Sequence, residues 1–237
     1  MTHLEWPRRV AALAQFHVAD PAEPVLERTD DHHLRKVLRA TPGEEVVVTD
    51  GRGSWAICVV DDQGLSRVGD VSRDDPVPAT TLYLAALKGD HAQWAVAKAT
   101  EVGVARVVPL LTSRSVVKFT GDVRDKTLAR WRRVAREAAG QCRRTYDLRV
   151  EEPLRVADVP GDVAVAEIGG SGDWRGVTDV AVGPEGGWAK DEWASSRRRV
   201  GLGPTVLRAE TAGVVAAALL AFQTGGWGLT LDGGRYE

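Results

Sequence analysis

The sequence has little of what marks secreted, membrane or disulfide-rich proteins. Only two of its 237 residues are cysteine, and Cys58 and Cys142 form neither a CxxC pair nor a disulfide framework. Residues 214–222 are apolar, but nine residues are too few for a membrane span, which needs about 20. The first ten residues, MTHLEWPRRV, lack the apolar run of a secretory signal. We therefore expect a cytoplasmic protein with no membrane partner.

Metal ligands in a recognisable arrangement are also missing. His32 and His33 are adjacent rather than one helical turn apart, and no third ligand accompanies them, so no metal site is predicted. The composition is 43% hydrophobic and 27% charged, as in an ordinary globular protein of one large or two modest domains.

Charge is nearly balanced overall but unevenly distributed. The net charge is −2, yet residues 114–149 contain 11 basic and four acidic side chains. Such a stretch attracts phosphates, although a solvated helix face is an equally ordinary explanation. Charge alone leaves both readings open.

The chain divides into two parts by pattern. Residues 1–75 contain short β-like runs separated by Pro, Gly and Asp, and a helical piece at 31–39 interrupts them. This piece places Leu34, Val37 and Leu38 on one face, which we expect to pack in the core of the first domain rather than to contact RNA. The predicted strands are 14–18, 45–50, 54–60 and 65–71. This spacing favours a small β-barrel, followed by a Pro-containing linker at 74–78.

From residue 76 onwards, strands and helices alternate, which predicts an α/β domain with a parallel sheet covered on both faces. The predicted strands are 81–87, 106–111, 163–168, 180–182 and 205–207. The predicted helices are 90–102, about 125–142, 190–199 and 210–224. We therefore place the domains at 1–75 and 76–237.

Two glycine-containing loops of the second domain are candidates for a ligand site. GPEGG at 183–187 is neither a phosphate-binding Walker A loop nor GxGxxG, and Glu185 would repel a phosphate. The loop suits an uncharged or cationic ligand. The alternative interpretation is a structural turn that binds no ligand. The second loop, 201–212, carries Arg208 and Glu210 where a strand gives way to a helix, so both side chains can face one crevice.

These loops and four other segments together resemble the ribosomal RNA small subunit methyltransferase E family of the SPOUT superfamily. The other matching segments are HLRKVLR at 33–39 with Pro42 and Gly43, KATEVGV at 98–104, Arg114-Ser115, and EAAGQCRR at 137–144. The resemblance spans residues 30–222 in order. The sequence departs from the family at four points. Ala209 stands where the family usually has Thr, Trp188 where it has a smaller apolar residue, and Gly140 where it has Glu. The family's proline soon after the position of Arg144 is also missing.

The resemblance implies a small N-terminal PUA-like β-barrel for RNA and a SPOUT-type domain with a parallel sheet and a deep trefoil knot, acting as a homodimer. It also implies methylation of N3 of uridine 1498 in 16S rRNA, within the 30S subunit, with S-adenosylmethionine as the methyl donor. Because N3 carries a proton at neutral pH, the reaction needs a base or a cation that stabilises the uridine anion.

The predicted site residues follow from this resemblance. Arg208 stabilises charge on the uracil oxygens, Glu210 acts as the base or orients Arg208, and Arg114 is a further catalytic candidate, with a structural ion pair as the alternative for each. Trp188 either stacks on a ligand or belongs to the core. The predicted cofactor-binding residues are Glu167, Ile168, Gly183, Pro184, Glu185, Gly186, Gly187, Leu202, Gly203, Leu207, Thr211 and Ala212. The predicted RNA-binding residues are Arg35, Lys36, Arg39, Arg143 and Arg144.

Three other functions fit part of the pattern. One is a SPOUT methyltransferase acting on tRNA or another rRNA base. Another is a catalytically silent RNA-binding factor for ribosome assembly. A third, a nucleotide-binding α/β protein, is disfavoured because the phosphate-binding loop is missing.

Overall fold

The computed structural model describes residues 5–115 and 121–225, excluding the side chain of Glu5. The chain forms two compact units. Unit 1 consists of Met1–Pro76 and Glu137–Asp147, and unit 2 of Val77–Arg136 and Leu148–Glu237. The predicted domains, 1–75 and 76–237, place residues 137–147 in the second domain, whereas these residues belong to unit 1. The domain division stays a prediction. Lys118 of the basic stretch lies outside the described residues.

Unit 1 is built on a four-stranded sheet of order β1-β2-β3-β4, in which β1 pairs with β2 in parallel and the other pairs are antiparallel. Its strands are β1 (Gln15–His17), β2 (Glu45–Thr49), β3 (Ser54–Val60) and β4 (Leu65–Arg73). Side chains along β2 alternate between the two faces of the sheet, so the sheet has a core on each face. Val46 and Val48 pack with Leu34 on one face, whereas Val47 packs with Trp55 on the other. The four predicted strands are confirmed.

The helical segments of unit 1 are α1 (Glu5–Ala11) and α2 (Arg28–His32), which continues as a π-helical turn, His33–Val37. The sequence reading missed α1. It placed Val37 with Leu34 and Leu38 on a buried face, but the wider π turn leaves Val37 60% exposed while Leu34 is fully buried. The grouping of Val37 with the core is therefore wrong.

The end of helix α4 (Gly121–Gln141) and the residues after it are anchored within unit 1. Gln15 donates its Nε2 proton to the carbonyl of Arg144 at 2.7 Å, and the hydroxyl of Thr145 donates to Asp74 at 2.7 Å. Arg143 donates to the carbonyl of Ala12 at 2.6 Å. Residues 137–147 are thus part of the packing of unit 1 rather than a free basic surface.

Unit 2 is built on a parallel sheet of order β11-β9-β10-β5-β6-β7, with β8 also paired to β6. Its strands are β5 (Thr81–Ala85), β6 (Arg106–Leu111), β7 (Arg149–Val150), β8 (Leu154–Arg155), β9 (Ala164–Ser171), β10 (Asp179–Val182) and β11 (Arg199–Val200). Helices α3 (His91–Glu101) and α5 (Ala209–Gln223) contact each other, and α5 packs on β5 and β10. The predicted parallel sheet is confirmed.

The two faces of this sheet are covered differently. Leu82 and Leu84 of β5 face a large core that includes side chains of α3, α4 and α5. Tyr83 faces a smaller core closed by loop residues, including Trp193 and the partly buried Trp188. Of the helices in the described residues, none is long and apolar enough to cross a membrane.

Two predicted elements of unit 2 are wrong. Residues 190–198 form turns and bends rather than a helix, and Arg199 begins β11. Asp191 has a positive φ of 61°, and the guanidiniums of Arg197 and Arg198 bind backbone carbonyls instead of lying on a helix surface. Residues 205–207 form no strand. Val206 is 77% exposed, and the edge of the sheet is instead β11, which pairs with β9.

Candidate active site

Unit 2 contains a cavity of about 1090 Å³, at the upper end of the usual size of small-molecule sites. Its wall consists of residues 166–169 of β9, the segment 182–188 that begins where β10 ends, and residues 202–210 with Ala212. His91, the first residue of α3, completes it. The cavity thus lies where the end of a parallel strand gives way to a loop, as expected for ligand sites in α/β sheets.

The loop after β10 is shaped by Gly183 and Trp188. A Cβ atom on Gly183 would lie 3.1 to 3.3 Å from the indole ring of Trp188, too close for unstrained packing. The indole donates to the carbonyl of Ala166 at 2.9 Å and packs edge-on against Trp193, with ring centroids 5.2 Å apart. Trp188 thus packs against the core, as one of its two predicted roles requires, and it also lines the cavity, while stacking on a ligand stays a prediction.

Contacts from neighbouring loops hold this wall in place. Arg114 donates to the carbonyl of Gly186 at 2.8 Å, so its guanidinium supports the loop and does not line the cavity. Glu192 accepts the backbone N–H of Ser113 at 2.6 Å and that of Ala189 at 2.9 Å. Glu185 accepts the backbone N–H of Lys88 at 3.2 Å. These contacts fix the position of the loop in the cavity wall.

The opposite wall leads into α5. Gly201 lies against Gly170 of β9, where an added Cβ would meet the Gly170 carbonyl oxygen at 2.6 Å, so this close approach requires glycine. Arg208 is the N-terminal capping residue of α5. Within the described part of the chain, its guanidinium has no hydrogen-bond or ion-pair partner, and Arg208 lines the cavity as an exposed cation.

A histidine that the sequence reading did not single out faces Glu210. The Nδ1 atom of His91 lies 3.3 Å from a carboxylate oxygen of Glu210, whose side chain is only 13% exposed. The two residues are 119 positions apart, and no spacing or motif connects them. The packing of α3 against α5 brings the two residues together, because His91 is the first residue of α3 and Glu210 is the second of α5.

The charges on the wall indicate the kind of ligand that the cavity accepts. Three carboxylates, of Glu167, Glu185 and Glu210, line it against the single guanidinium of Arg208. Glu167 is also paired with Arg199 at 3.3 Å. A wall of this composition accepts a cationic ligand with hydrogen-bonding edges and disfavours a polyphosphate. Among the described residues, no group of three or more His, Cys, Asp or Glu could hold a metal ion.

The structure brings together nearly all the predicted cofactor-binding residues. All of them line the cavity except Thr211, which lies in the first turn of α5. The catalytic candidates Arg208 and Glu210 line it too, whereas Arg114 touches it only through Gly186. The cavity wall also includes several residues that were not predicted, namely His91, Ala166, Gly169, Val182, Pro204, Thr205, Val206 and Ala209.

The predicted RNA-binding residues lie in unit 1 and differ in their surroundings. Lys36 and Arg39 are exposed, and Arg35 pairs with Asp31 at 2.8 Å. Arg143 and Arg144 instead donate to backbone carbonyls of the same unit, and burial lowers the pKa of Arg144 to about 10. Both guanidiniums therefore have structural partners already.

Comparison with known proteins identifies the family. A model of the RNA methyltransferase domain matches residues 73–221, and a model of the RNA methyltransferase PUA domain matches residues 26–65. Ribosomal RNA small subunit methyltransferase E of Mycobacterium bovis is 33% identical over 234 residues, which cover 87% of this chain and 88% of that protein. The chain belongs to the ribosomal RNA small subunit methyltransferase E family.

Solved structures share the fold of this family. A methyltransferase of Legionella pneumophila, solved with bound S-adenosylmethionine, matches with a TM-score of 0.76 at 23% identity, covering 87% of this chain and 96% of that one. The ribosomal RNA small subunit methyltransferase E of Neisseria gonorrhoeae, bound to S-adenosylmethionine, matches with a TM-score of 0.73 at 24% identity, covering 88% and 96%. At these identities the likeness shows the fold.

Proposed function

We propose that the protein methylates N3 of uridine 1498 in 16S rRNA, using S-adenosylmethionine bound in the cavity of unit 2. The observation that carries this proposal is the cavity itself, whose wall combines glycine loops and three carboxylates with Arg208, which has no partner among the described residues. The family of the chain and the names of its relatives support ribosomal RNA as the substrate class.

The residues of the cavity fit S-adenosylmethionine. Its sulfonium and ammonium groups are cationic, which suits the carboxylate-rich wall, and its adenine is read by backbone groups of the glycine loops. When bound, it supplies an electrophilic methyl group. We assign its binding to residues 183–187, 202–203 and 207, to Glu167 and Ile168, and to Thr211 and Ala212 at the start of α5.

Arg208 and Glu210 are assigned to the reacting base. The fork of Arg208 donates hydrogen bonds to a uracil oxygen as negative charge develops on the ring, and it is available for this because no described residue pairs with it. Glu210 takes part in removing the proton from N3. The positive end of the α5 helix dipole stabilises the negative charge that develops nearby. Arg114 acts indirectly, because it holds the Gly186 carbonyl in the cavity wall.

Unit 1 is the proposed RNA-binding part, with a PUA-like barrel at residues 1–75. We assign phosphate contacts to Arg35 and the exposed Lys36, which lie in the π-helical turn, and to the exposed Arg39 just after it. For Arg143 and Arg144 the proposed RNA contact is secondary to their bonds with backbone carbonyls. Sequence-specific RNA recognition works on unstacked bases, so a splayed-out uridine is the expected substrate form.

We also propose the knot, the homodimer and the 30S substrate that the family resemblance implies. After β10 the chain passes to the sheet edge at β11 and returns as α5 against β5 and β10, a path compatible with a deep trefoil knot. We propose a homodimer, for which Trp94, 47% exposed on α3, provides apolar surface. The substrate is proposed to be the 30S subunit, in the cytoplasm.

Primer extension tests the target directly, because a methyl group on N3 blocks Watson–Crick pairing and stops reverse transcriptase. Unmodified 30S subunits, naked 16S rRNA and bulk tRNA would each be incubated with the protein and S-adenosylmethionine. The proposal predicts one new stop, at uridine 1498, in 30S subunits. A stop at another rRNA position or in tRNA would contradict the assigned target, and calorimetry showing no cofactor binding would contradict the methyltransferase activity.

A further inference from the structure

The proton on uridine N3 needs an acceptor, and the cavity contains one that the family resemblance does not assign. We infer that His91 accepts this proton at Nε2 while Glu210 positions the imidazole through Nδ1. The inference rests on the proposed function. It follows from the 3.3 Å separation of His91 Nδ1 and Glu210, and from the presence of both residues in the cavity wall.

The side chains of His91 and Glu210 differ in burial, and this difference indicates their roles. The carboxylate of Glu210 is 13% exposed, whereas the imidazole of His91 is 50% exposed. A carboxylate beside Nδ1 selects the tautomer with a proton on Nδ1, which leaves Nε2 as the lone-pair acceptor. Glu210 therefore lies beside Nδ1, and the half-exposed imidazole, which lines the cavity, is assigned to meet the uracil through Nε2.

Charged groups of both signs surround His91. The charged groups around the start of α3 are Glu210 and Arg208 of α5, Glu185, Lys88, Asp90, and Arg130, which pairs with Asp90 at 2.8 Å. Three of these groups are acidic and three are basic. The N-terminus of α3, where His91 is the first residue, adds a positive partial charge.

The step balances in atoms and charge. The N3–H bond breaks and its proton moves to Nε2 of His91. N3 then bonds to the methyl carbon as the carbon–sulfur bond breaks, with its electron pair remaining on sulfur. The positive charge lost from the sulfonium is thus carried by His91, which returns its proton to water through its exposed edge. Arg208 stabilises the uracil oxygens before the methyl group is transferred.

The test combines kinetics with direct observation of the imidazole. Single-turnover methyl transfer to 30S subunits would be measured from pH 6 to pH 9.5 for the wild type, His91→Gln, Glu210→Gln and the control His32→Gln. The control removes an exposed histidine in unit 1. The rates would be compared with cofactor affinity from calorimetry and with ¹⁵N spectra of histidine-labelled protein, in which His91→Gln identifies the His91 signals.

The inference predicts that His91→Gln lowers the rate at pH 7 at least 100-fold, the scale of general-base catalysis, while cofactor affinity changes less than about threefold. The deficit narrows as pH rises and also in rRNA transcribed with 5-fluorouridine, whose N3 proton is more acidic. In the wild-type spectra, Nδ1 carries the proton, and Glu210→Gln shifts His91 towards a mixture of tautomers. The pH profile of His32→Gln follows that of the wild type.

Other results would overturn the inference. If His91→Gln retains activity within threefold across the pH range, or if its deficit is the same at every pH and with 5-fluorouridine, His91 is not the proton acceptor. If Nε2 carries the proton in the wild type, the assigned tautomer is wrong. If the wild type transfers no methyl group to uridine, the proposed function fails instead, which separates the two conclusions.

Discussion

Replacement of Asp74 by Asn is predicted to destabilise unit 1 strongly. Asp74 accepts hydrogen bonds from Arg9 at 2.6 Å, from the hydroxyl of Thr145 at 2.7 Å and from the indole of Trp55 at 3.0 Å. Arg9 is only 4% exposed, and its guanidinium lies over the rings of Trp6 and Trp55. The substitution removes the charge that compensates this buried cation.

The size of the effect follows from the burial of the pair. Removing one partner of a buried ion pair costs about 3–5 kcal/mol, because the remaining charge is left uncompensated. Asn keeps one acceptor oxygen for the surrounding donors, so we expect the lower end, about 3 kcal/mol. With an m-value of about 3 kcal/mol per M of urea, the midpoint of unfolding falls by about 1 M.

The pH dependence gives a second signature. Burial alone would raise the pKa of Asp74, but hydrogen bonds from Arg9 and Thr145 and the charge of Arg9 outweigh it and hold this pKa below its ordinary value. The stabilisation is therefore present above the unfolded pKa, about 3.9, and is lost as pH falls through the lower folded pKa. The wild type should lose it on acidification, whereas Asp74→Asn has already lost it at pH 7.

Urea unfolding followed by circular dichroism, at pH 7 and at steps down to pH 3, measures both effects. Asp75→Asn, at the exposed neighbouring position, is the matched control and should change stability by less than about 0.5 kcal/mol. A loss below 1 kcal/mol for Asp74→Asn at pH 7, or an unchanged pH dependence, would refute the role given to the Arg9–Asp74 pair.

Three further predictions concern the cavity. Arg208→Ala should lower the rate of methyl transfer about 100-fold or more. The free energy of unfolding in urea should stay within about 0.5 kcal/mol of the wild type, because the guanidinium has no partner among the described residues. A loss of stability matching the loss of rate would contradict this. Gly183→Ala should weaken cofactor binding about tenfold in calorimetry, because its methyl group displaces the Trp188 ring; unchanged affinity would show that the ring is not fixed. Glu192→Gln should speed hydrogen exchange of the Ala189 amide, and unchanged exchange would show that Glu192 does not hold the loop.

Much of the fold could be predicted because its strands are strongly patterned. The valine-rich β2 and the apolar β5 could be located from local sequence alone. The segment 190–199 could not, because its turns depend on distant partners, such as Ser113 for Glu192 and the carbonyl of Val159 for Arg197. Local propensity contains no information about such contacts.

The candidate site shows the same division. The glycine loops and Arg208 could be found because their residue types are unusual together and their order matches a known family. His91 could not, since a single histidine at a helix start has no distinguishing neighbours, and its relation to Glu210 exists only after α3 and α5 pack. Arg143 and Arg144 match the family motif, but their bonds to carbonyls depend on the fold of unit 1.

We propose above that this protein transfers a methyl group from S-adenosylmethionine to N3 of a uridine in the small ribosomal subunit. To test this, unmodified 30S subunits would be incubated with the protein and labelled S-adenosylmethionine, the RNA would be digested, and the labelled nucleoside would be identified by mass spectrometry. We expect one equivalent of 3-methyluridine per subunit with the wild type and nearly none with Arg208→Ala. Label in any other nucleoside, or no label despite cofactor binding, would contradict it.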